Sequence, residues 1–276
     1  MSVEVMTTRL EEADLDALGA AVRALEGESF ATRLANLLGA PVQSAGRVLP
    51  SSARKLVAAA TEKALYAGLR VALTTIDNKA PPRAQIGLHK GLASLSGAAG
   101  GAFGLAATLL ELPISTTIIL RSIAQIGMTE GEDLSEPKAA LACVEVFALG
   151  AHRPSGAAVE YFAVRDALAK SVSDAARFLL QQKISNESAP ILVRLTAQIA
   201  ARFGLAVSEK VAAQAIPVLG AIGGAAVNYA FADHFQSVAR GHFTVRRLER
   251  NYGADAVRFE YGRLRQHFAQ TGRLDA

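Results

Sequence analysis

Apolar residues recur at helical spacing through almost every long segment of this 276-residue chain, and no segment alternates regularly between apolar and polar residues. Alanine and leucine, two strong helix formers, dominate the composition. A hydrophobic content of 51% excludes a disordered chain, and the length is enough to bury a core without disulfides or metals. The sequence therefore predicts an all-α fold, a compact multi-helix bundle of roughly nine or ten helices with Gly/Ala-rich helical hairpins at its centre.

Residues typical of helix starts and helix ends occur at intervals along the chain. Ser51-Ser52 can cap a helix, Pro137 can open another, and Gly253 can separate the last two. The first residues are patterned less clearly, so we expect an N-terminal helical appendage at 1–48 and the main domain at 49–276. An acidic N-terminus without an apolar stretch predicts no secretory signal, and a single cysteine fits the cytoplasm.

Two uncharged runs, residues 91–110 and 211–232, are each long enough to span a bilayer. Their many small residues weaken that interpretation and favour buried hairpins, with membrane contact or partial insertion as the alternative and complete spans the least favoured. Glycines four residues apart let two helix backbones approach closely, either in lipid or in a soluble bundle. The glycines predicted to pack helices closely are Gly97, Gly100, Gly101, Gly104, Gly220 and Gly224.

The net charge of +4 lies entirely in the last 37 residues, which hold eight arginines and four acidic residues. Two amphipathic helices are predicted there, with the arginines off the apolar stripes. Arg121, farther upstream, lies on a polar stripe where either a carboxylate such as Glu111 or an anionic ligand could pair with it. The residues predicted to contact an anion, a lipid headgroup or a partner are Arg121, Arg240, Arg246, Arg247 and Arg250. A solvated face is the alternative, and nucleic acid is disfavoured because no nucleic-acid-binding motif is present.

An acid–base or a metal-binding site is one interpretation of three polar residues that lie close in the sequence, namely Asp233, His234 and His242. On one helix the two histidines would lie about 12 Å apart, too far to share a metal ion. No nucleophile motif accompanies them, and the acidic segment 130–133 lacks the spacing of a calcium-binding loop, lying instead at a helix start. Glu111, Asp233 and His234 are therefore weak catalytic candidates, and neither a metal nor an organic cofactor is predicted.

Two segments of the chain carry a resemblance to a known family. They are LLELPISTTIILRSIAQIGMTEGED at 109–133, with its Gly-rich lead, and IPVLGAIGGAAVNYAFADHFQSVARGHFTVRRLERNYG at 216–253. In both, the chain resembles the EcsC family of bacterial proteins, whose pattern has Asp where this chain has Glu111. The resemblance implies a bacterial helical protein that is cytoplasmic or associated with a membrane. The family takes its name from a protein encoded beside an ABC transporter and has no agreed reaction, so no catalytic residue is carried over.

Three functional hypotheses follow. The first is an accessory or interaction protein in the cytoplasm or at the inner face of the cytoplasmic membrane, binding anionic lipid or a membrane-protein partner. The second is a hydrolase-type enzyme that brings together polar groups from separate helices, namely Glu111, Arg121, Asp233, His234 and His242. The third is a structural bundle that forms homo-oligomers through its glycine faces. The sequence leans towards a protein without enzymatic activity.

Overall fold

The computed structural model describes residues 10–38, 50–75, 111–151, 161–181, 189–214 and 220–271. Within these ranges the chain forms nine α-helices and no β-strand, which confirms the predicted all-α bundle. The helices are α1 (Glu12–Glu26), α2 (Phe30–Leu38), α3 (Ser51–Thr75), α4 (111–129), α5 (Pro137–Leu149), α6 (Tyr161–Gln181), α7 (Pro190–Gln214), α8 (Gly220–Tyr252) and α9 (Ala254–Thr271).

Three helix boundaries confirm the local signals in the sequence. Helix α3 begins at Ser51 and α5 at Pro137, where the missing N–H of proline would in any case lack a partner within the helix. Helices α8 and α9 are separated by Gly253, whose φ of 88° is a conformation that side chains other than glycine rarely adopt.

Helix α5 lies at the centre of the bundle, where it contacts α3, α6, α7 and α8. Every residue from Ala139 to Leu149 is buried, and all of them except Glu145 are apolar, as expected for a helix that other helices surround. Burial raises the pKa of the Cys143 thiol, in the middle of this helix, to about 12. This cysteine is therefore a packing residue and not a reactive thiol.

Helix α8 is the longest, with 33 residues, and contacts α1, α2, α5, α7 and α9. One face of it joins a cluster of aromatic rings whose centroids lie 4.6–5.9 Å apart. The cluster consists of Phe147, Phe203, Phe231 and Phe235. Offset and edge-on ring contacts of this kind hold α5, α7 and α8 together.

A glycine brings α1 against α8. A Cβ atom at Gly241 would lie 2.8 Å from Cγ of Leu25 and 3.0 Å from the carbonyl oxygen of Ala21, so the helices are in closer contact than any side chain permits. Of the glycines predicted from spacing, Gly220 is the first residue of α8 and Gly224 is buried within it. The others, Gly97, Gly100, Gly101 and Gly104, lie outside the described residues.

The N-terminal helices pack on the rest of the bundle. Helix α1 contacts α8 and α9, and α2 contacts α7 and α8. Leu18, Val22, Phe30 and Leu34 are almost fully buried members of the same hydrophobic core as the central helices. The predicted domain division at residue 48 stays a prediction.

Helices α4 and α8 lie side by side and run in the same direction, because their contacts advance together along both. The contacting pairs are Glu111 with Asn228, Ser122 with Gln236, Gly127 with Phe243 and, in the turn after α4, Glu132 with Arg246. The start of the described part of α4 is therefore level with the part of α8 that belongs to the uncharged run 211–232.

Candidate functional site

Two arginines of α8 converge on one buried carboxylate. Arg246 donates to both oxygens of Glu132, from Nη2 at 2.7 Å and from Nε at 2.8 Å, and Arg250 donates to Oε1 of the same residue. The Glu132 side chain is only 4% exposed. Burial by itself raises the pKa of this carboxyl, but the hydrogen bonds and charges of Arg246 and Arg250 outweigh burial and hold the pKa below its usual value.

Arg247 links α8 to α1 and to the turn that follows α4. Its Nε donates to Glu130 at 2.8 Å and its Nη1 donates to Asp14 at 3.0 Å. The Tyr252 hydroxyl donates to the second oxygen of Asp14 at 2.8 Å, and this bond is the main reason why the pKa of Asp14 is lowered. Three of the arginines predicted to contact an external anion, Arg246, Arg247 and Arg250, thus have carboxylate partners within the chain.

The other two arginines of that predicted set, Arg121 on α4 and Arg240 on α8, are exposed. In the described part of the chain neither has a hydrogen bond or an ion pair. Around the axis of α8, Arg240 is rotated roughly 40–60° in the direction of helix winding from Gln236 and Phe243, which face α4. Around the axis of α4, Arg121 is rotated roughly 100° in the opposite direction from Ser122, which faces α8. Because the helices are parallel, these opposite rotations turn both arginines towards the same outer side of the pair.

Two large apolar side chains share that side. Ile114 on α4 is 59% exposed and Tyr229 on α8 is 49% exposed. Ile114 precedes Arg121 by seven residues, and Tyr229 precedes Arg240 by eleven, spacings that return to nearly the same side of a helix. We call these four residues the α4/α8 face. Its apolar end lies towards the helix starts, and its arginines lie about 10–17 Å farther along.

The weak catalytic candidate Glu111 belongs to a buried polar cluster. The Lys210 ammonium, fully enclosed, lies 3.4 Å from both Glu111 oxygens and 5.0 Å from the centre of the Phe231 ring. Asn228 donates from Nδ2 to Oε1 of Glu111 at 2.9 Å. Burial lowers the pKa of Lys210, against the opposing charge of Glu111. Glu111 therefore pairs with Lys210, which sequence analysis did not identify.

The other candidate catalytic residues contact different neighbours. Asp233 accepts a hydrogen bond from Arg33 at 3.3 Å, whereas His234 is buried and donates from Nε2 to the Gly150 carbonyl at 2.7 Å. Nδ1 of His242 shares a 2.8 Å hydrogen bond with the Tyr161 hydroxyl. Burial, assisted by the charges of nearby arginines, holds the pKa of His242 well below its usual value.

These groups are spread along α8 and are not gathered at one point. Asn228, the partner of Glu111, lies six residues before His234, or about 9 Å along the helix, and His242 lies about 12 Å farther on. Arg121 is exposed, unlike the buried groups. General acid–base chemistry needs its groups within hydrogen-bond reach of one substrate, and no such grouping joins these five residues.

A further network, partly buried, joins α6 to α8 and was not predicted from the sequence. Arg165 of α6 donates to both oxygens of Glu249 on α8, at 2.8 and 3.0 Å, and to the Tyr161 hydroxyl at 3.1 Å. The only local sequence signal is the spacing of Tyr161 and Arg165, which is one helical turn. The partner on α8 is 84 residues away, so the pairing depends on tertiary structure.

Neither metal binding nor a membrane span has a strong candidate among the described residues. No three histidine, cysteine or acidic side chains in these ranges form a group that could hold a metal ion. One helix in these ranges, α7, is long and apolar enough to cross a membrane. However, α7 contacts α2, α3, α5, α6 and α8, and the core helices of water-soluble proteins have the same length and composition.

The model of the EcsC protein family matches residues 15–248, which is well over half of the chain. The match includes most of α1, all of α2, the α4/α8 face, and the pairs Arg246–Glu132 and Arg247–Glu130. No curated protein and no solved structure matches the chain. The match confirms the resemblance in the two sequence segments and extends it upstream into residues 15–48. The chain belongs to the EcsC protein family.

Proposed function

We propose that this chain is an accessory protein that binds the anionic inner surface of the cytoplasmic membrane through the α4/α8 face. The observation that carries the proposal is that Arg121 and Arg240, on adjacent parallel helices, point to the same side and pair with no carboxylate in the described part of the chain. Guanidinium groups in this state are available to donate to phosphate oxygens.

The apolar end of the same face supports a lipid surface over a soluble anion. Tyrosine is favoured where a membrane meets water, because its ring is apolar and its hydroxyl is polar. Ile114 and Tyr229 would reach the acyl boundary while the arginines, farther along their helices, meet the headgroups. Two arginines contribute about 2 kcal/mol to such binding, so we expect reversible and salt-sensitive association.

The arginines at the end of α8 fit this role less well. Arg246 and Arg247 each donate two hydrogen bonds to acidic side chains, and Arg250 is bonded to the same carboxylate as Arg246. Lipid phosphate would have to displace Glu132, Glu130 or Asp14 before it could pair with them. We therefore assign the headgroup contact to Arg121 and Arg240.

Sedimentation with lipid vesicles tests the proposal. At low salt, the wild-type chain is expected to bind vesicles that contain phosphatidylglycerol and to bind pure phosphatidylcholine vesicles far more weakly. At high salt, its binding to either kind of vesicle should be much weaker than its binding to phosphatidylglycerol vesicles at low salt. Arg121→Glu/Arg240→Glu should weaken binding at least about thirtyfold, because it removes about 2 kcal/mol of attraction and adds repulsion.

A matched variant controls for net charge. Lys170→Glu/Arg194→Glu makes the same change of charge at exposed positions on α6 and α7, and it should bind as the wild type does. The proposal is wrong if the wild-type protein does not bind anionic vesicles at low salt. It is also wrong if the two double variants lose binding equally, because the effect would then come from net charge and not from this face.

A further inference from the structure

The two arginines of the α4/α8 face lie at similar levels along their helices. The contacts that set the register of the pair, at Ser122 and at Gly127, make Arg121 level with residues 235–237 of α8. Arg240 lies three to five residues farther along, which is an axial offset of about 5–8 Å. The two arginines are therefore separated by little more than one helical turn in the direction of the axes.

Helices α4 and α8 are also close neighbours at this level. A Cβ atom at Gly127 would lie only 3.2 Å from Cζ of Phe243, so the Phe243 ring rests on the backbone of α4. With packed axes about 8–10 Å apart, the Cα atoms of Arg121 and Arg240 are about 9–13 Å apart. An arginine side chain, with three CH₂ groups before its guanidinium, can extend over half of that distance. Both guanidinium groups can therefore reach a single ligand on the outer side of the pair.

Two guanidinium groups that meet at one point match a phosphomonoester better than a phosphodiester. A phosphomonoester carries a charge of about −1.5 to −2 at pH 7 and has three strong acceptor oxygens. A phosphodiester, such as the one in phosphatidylglycerol, carries a single charge on two free oxygens. Because each guanidinium can donate two parallel hydrogen bonds to a phosphate, a terminal phosphate has acceptors for both arginines.

One acidic side chain, Asp233, lies on the same side of α8 about 10 Å before Arg240. It accepts a hydrogen bond from Arg33 of α2 at 3.3 Å, so its charge is balanced by a third arginine. Together Arg33, Arg121, Arg240 and Asp233 carry a net charge of +2. This charge favours a dianion at the point where the side chains of Arg121 and Arg240 can meet.

Given the membrane contact proposed above, on which this inference rests, we propose that the α4/α8 face binds one lipid with a phosphomonoester headgroup, held between Arg121 and Arg240. Phosphatidate is the simplest lipid of this class. Ile114 and Tyr229, exposed on the same face, favour a lipid over a soluble phosphate ester, because only the lipid supplies acyl chains for them to contact. The face would then select a headgroup and not respond only to surface charge.

Vesicles of two compositions test this selection. Phosphatidylcholine vesicles contain either phosphatidate or phosphatidylglycerol, the latter at about twice the mole fraction so that the surface charges are similar. At one ionic strength, sedimentation of the full chain should show at least about fivefold tighter binding to the phosphatidate vesicles. Equal binding to both would overturn this proposal and leave the proposed membrane binding intact, whereas binding to neither would overturn the proposed function as well.

A charge-preserving variant tests the role of the guanidinium groups. Arg121→Lys/Arg240→Lys keeps both positive charges but replaces each planar fork with one ammonium, so the preference for phosphatidate should fall below about twofold. Arg54→Lys/Arg194→Lys makes the same change at exposed positions on α3 and α7, and it should keep the wild-type preference. If Arg121→Lys/Arg240→Lys keeps the full preference, the two arginines do not select the headgroup and the proposal is wrong.

Glycerol 3-phosphate separates the two sources of a phosphomonoester, since it has the phosphate but no acyl chain. We expect it to displace the wild-type chain from phosphatidate vesicles only when it is in large excess over the accessible phosphatidate. Displacement at a concentration equal to that of the accessible phosphatidate would identify a soluble phosphate ester as the ligand. That result would overturn the assignment to a lipid.

Discussion

Glu132 holds two arginines of α8 in place from a site that water hardly reaches. In Glu132→Gln, Arg246 and Arg250 would face a neutral amide. We expect this variant to lose about 2–4 kcal/mol of unfolding free energy, because breaking a buried pair from one side is costly and glutamine keeps only one acceptor oxygen. Urea denaturation at neutral pH measures the loss, and Glu136→Gln, at an exposed position nearby, is the control with little expected change.

The lowered pKa of the Glu132 carboxyl makes the stability of the folded chain depend on pH. The pKa of this carboxyl in the folded chain is lower than the usual 4.5, so the unfolded chain takes up a proton first as the solution becomes acidic. The stabilisation by Glu132 is therefore complete above about pH 4.5 and is lost as pH falls through the folded pKa. Below pH 4.5 the stability of Glu132→Gln should fall less steeply than that of the wild type. Parallel curves would contradict this role of Glu132.

The participants in this network could be found in the sequence, but their pairing could not. Arg246, Arg247 and Arg250 stand out as a basic cluster, and residues 130–133 stand out as an acidic one. From the sequence, the basic cluster was predicted to lie on an outer face and the acidic cluster at a helix start. The partners are 114 to 118 residues apart, so their contact depends on α4 and α8 being neighbours in a particular register. Charge reversal at these arginines consequently tests stability before it tests lipid binding.

At the scale of helices, the contact between α1 and α8 depends on Gly241. A Cβ there would press on Leu25 and on the backbone of Ala21, neither of which can move without shifting α1. We expect Gly241→Ala to lower the free energy of unfolding by about 1–3 kcal/mol, despite the higher helix propensity of alanine. Gly204→Ala, where the added methyl meets nothing within 4 Å, should instead stabilise by up to about 1 kcal/mol. Thermal melts that shift both variants in the same direction would contradict this interpretation.

Helix boundaries were predictable because their signals are local, as at Ser51, Pro137 and Gly253. Contacts between helices were harder to predict. The glycines predicted to pack helices are spaced four residues apart within uncharged runs, and Gly241 is not among them because it lies in a polar segment. Ser237, a small residue four positions earlier, gives the same spacing and could have identified it. The parallel alignment of α4 and α8, on which the proposed membrane contact depends, has no local signal at all.

For the molecule as a whole, a charge excess in the sequence is not the same as a charged surface. The arginine-rich end of α8 meets acids from α1 and from the turn after α4, and Arg258 of α9 meets Asp166 of α6. Fold class was predictable because helical periodicity extends over most of the chain, and the family was predictable because two long segments, 109–133 and 216–253, carry its pattern. The candidate lipid face was only partly predictable, since Arg121 and Arg240 were identified but could not be distinguished from the arginines that have partners within the chain.

The buried pair of Lys210 and Glu111 joins α7 to α4, with α8 contributing Asn228. Lys210→Met preserves most of the side-chain volume but removes the ammonium from a buried carboxylate, so we expect a loss of about 2–4 kcal/mol in unfolding free energy. Adding Glu111→Gln removes the charge that the first change left behind, and the double variant should recover about 1–3 kcal/mol relative to Lys210→Met.

The measurement is a double-mutant cycle in urea, with the wild type, both single variants and the double variant at one pH. If the ion pair links the helices, the loss in the double variant will be smaller than the sum of the two single losses. Additive losses would mean that the two groups stabilise the bundle independently. That outcome would contradict a 3.4 Å contact in an interior where little water is present to screen it.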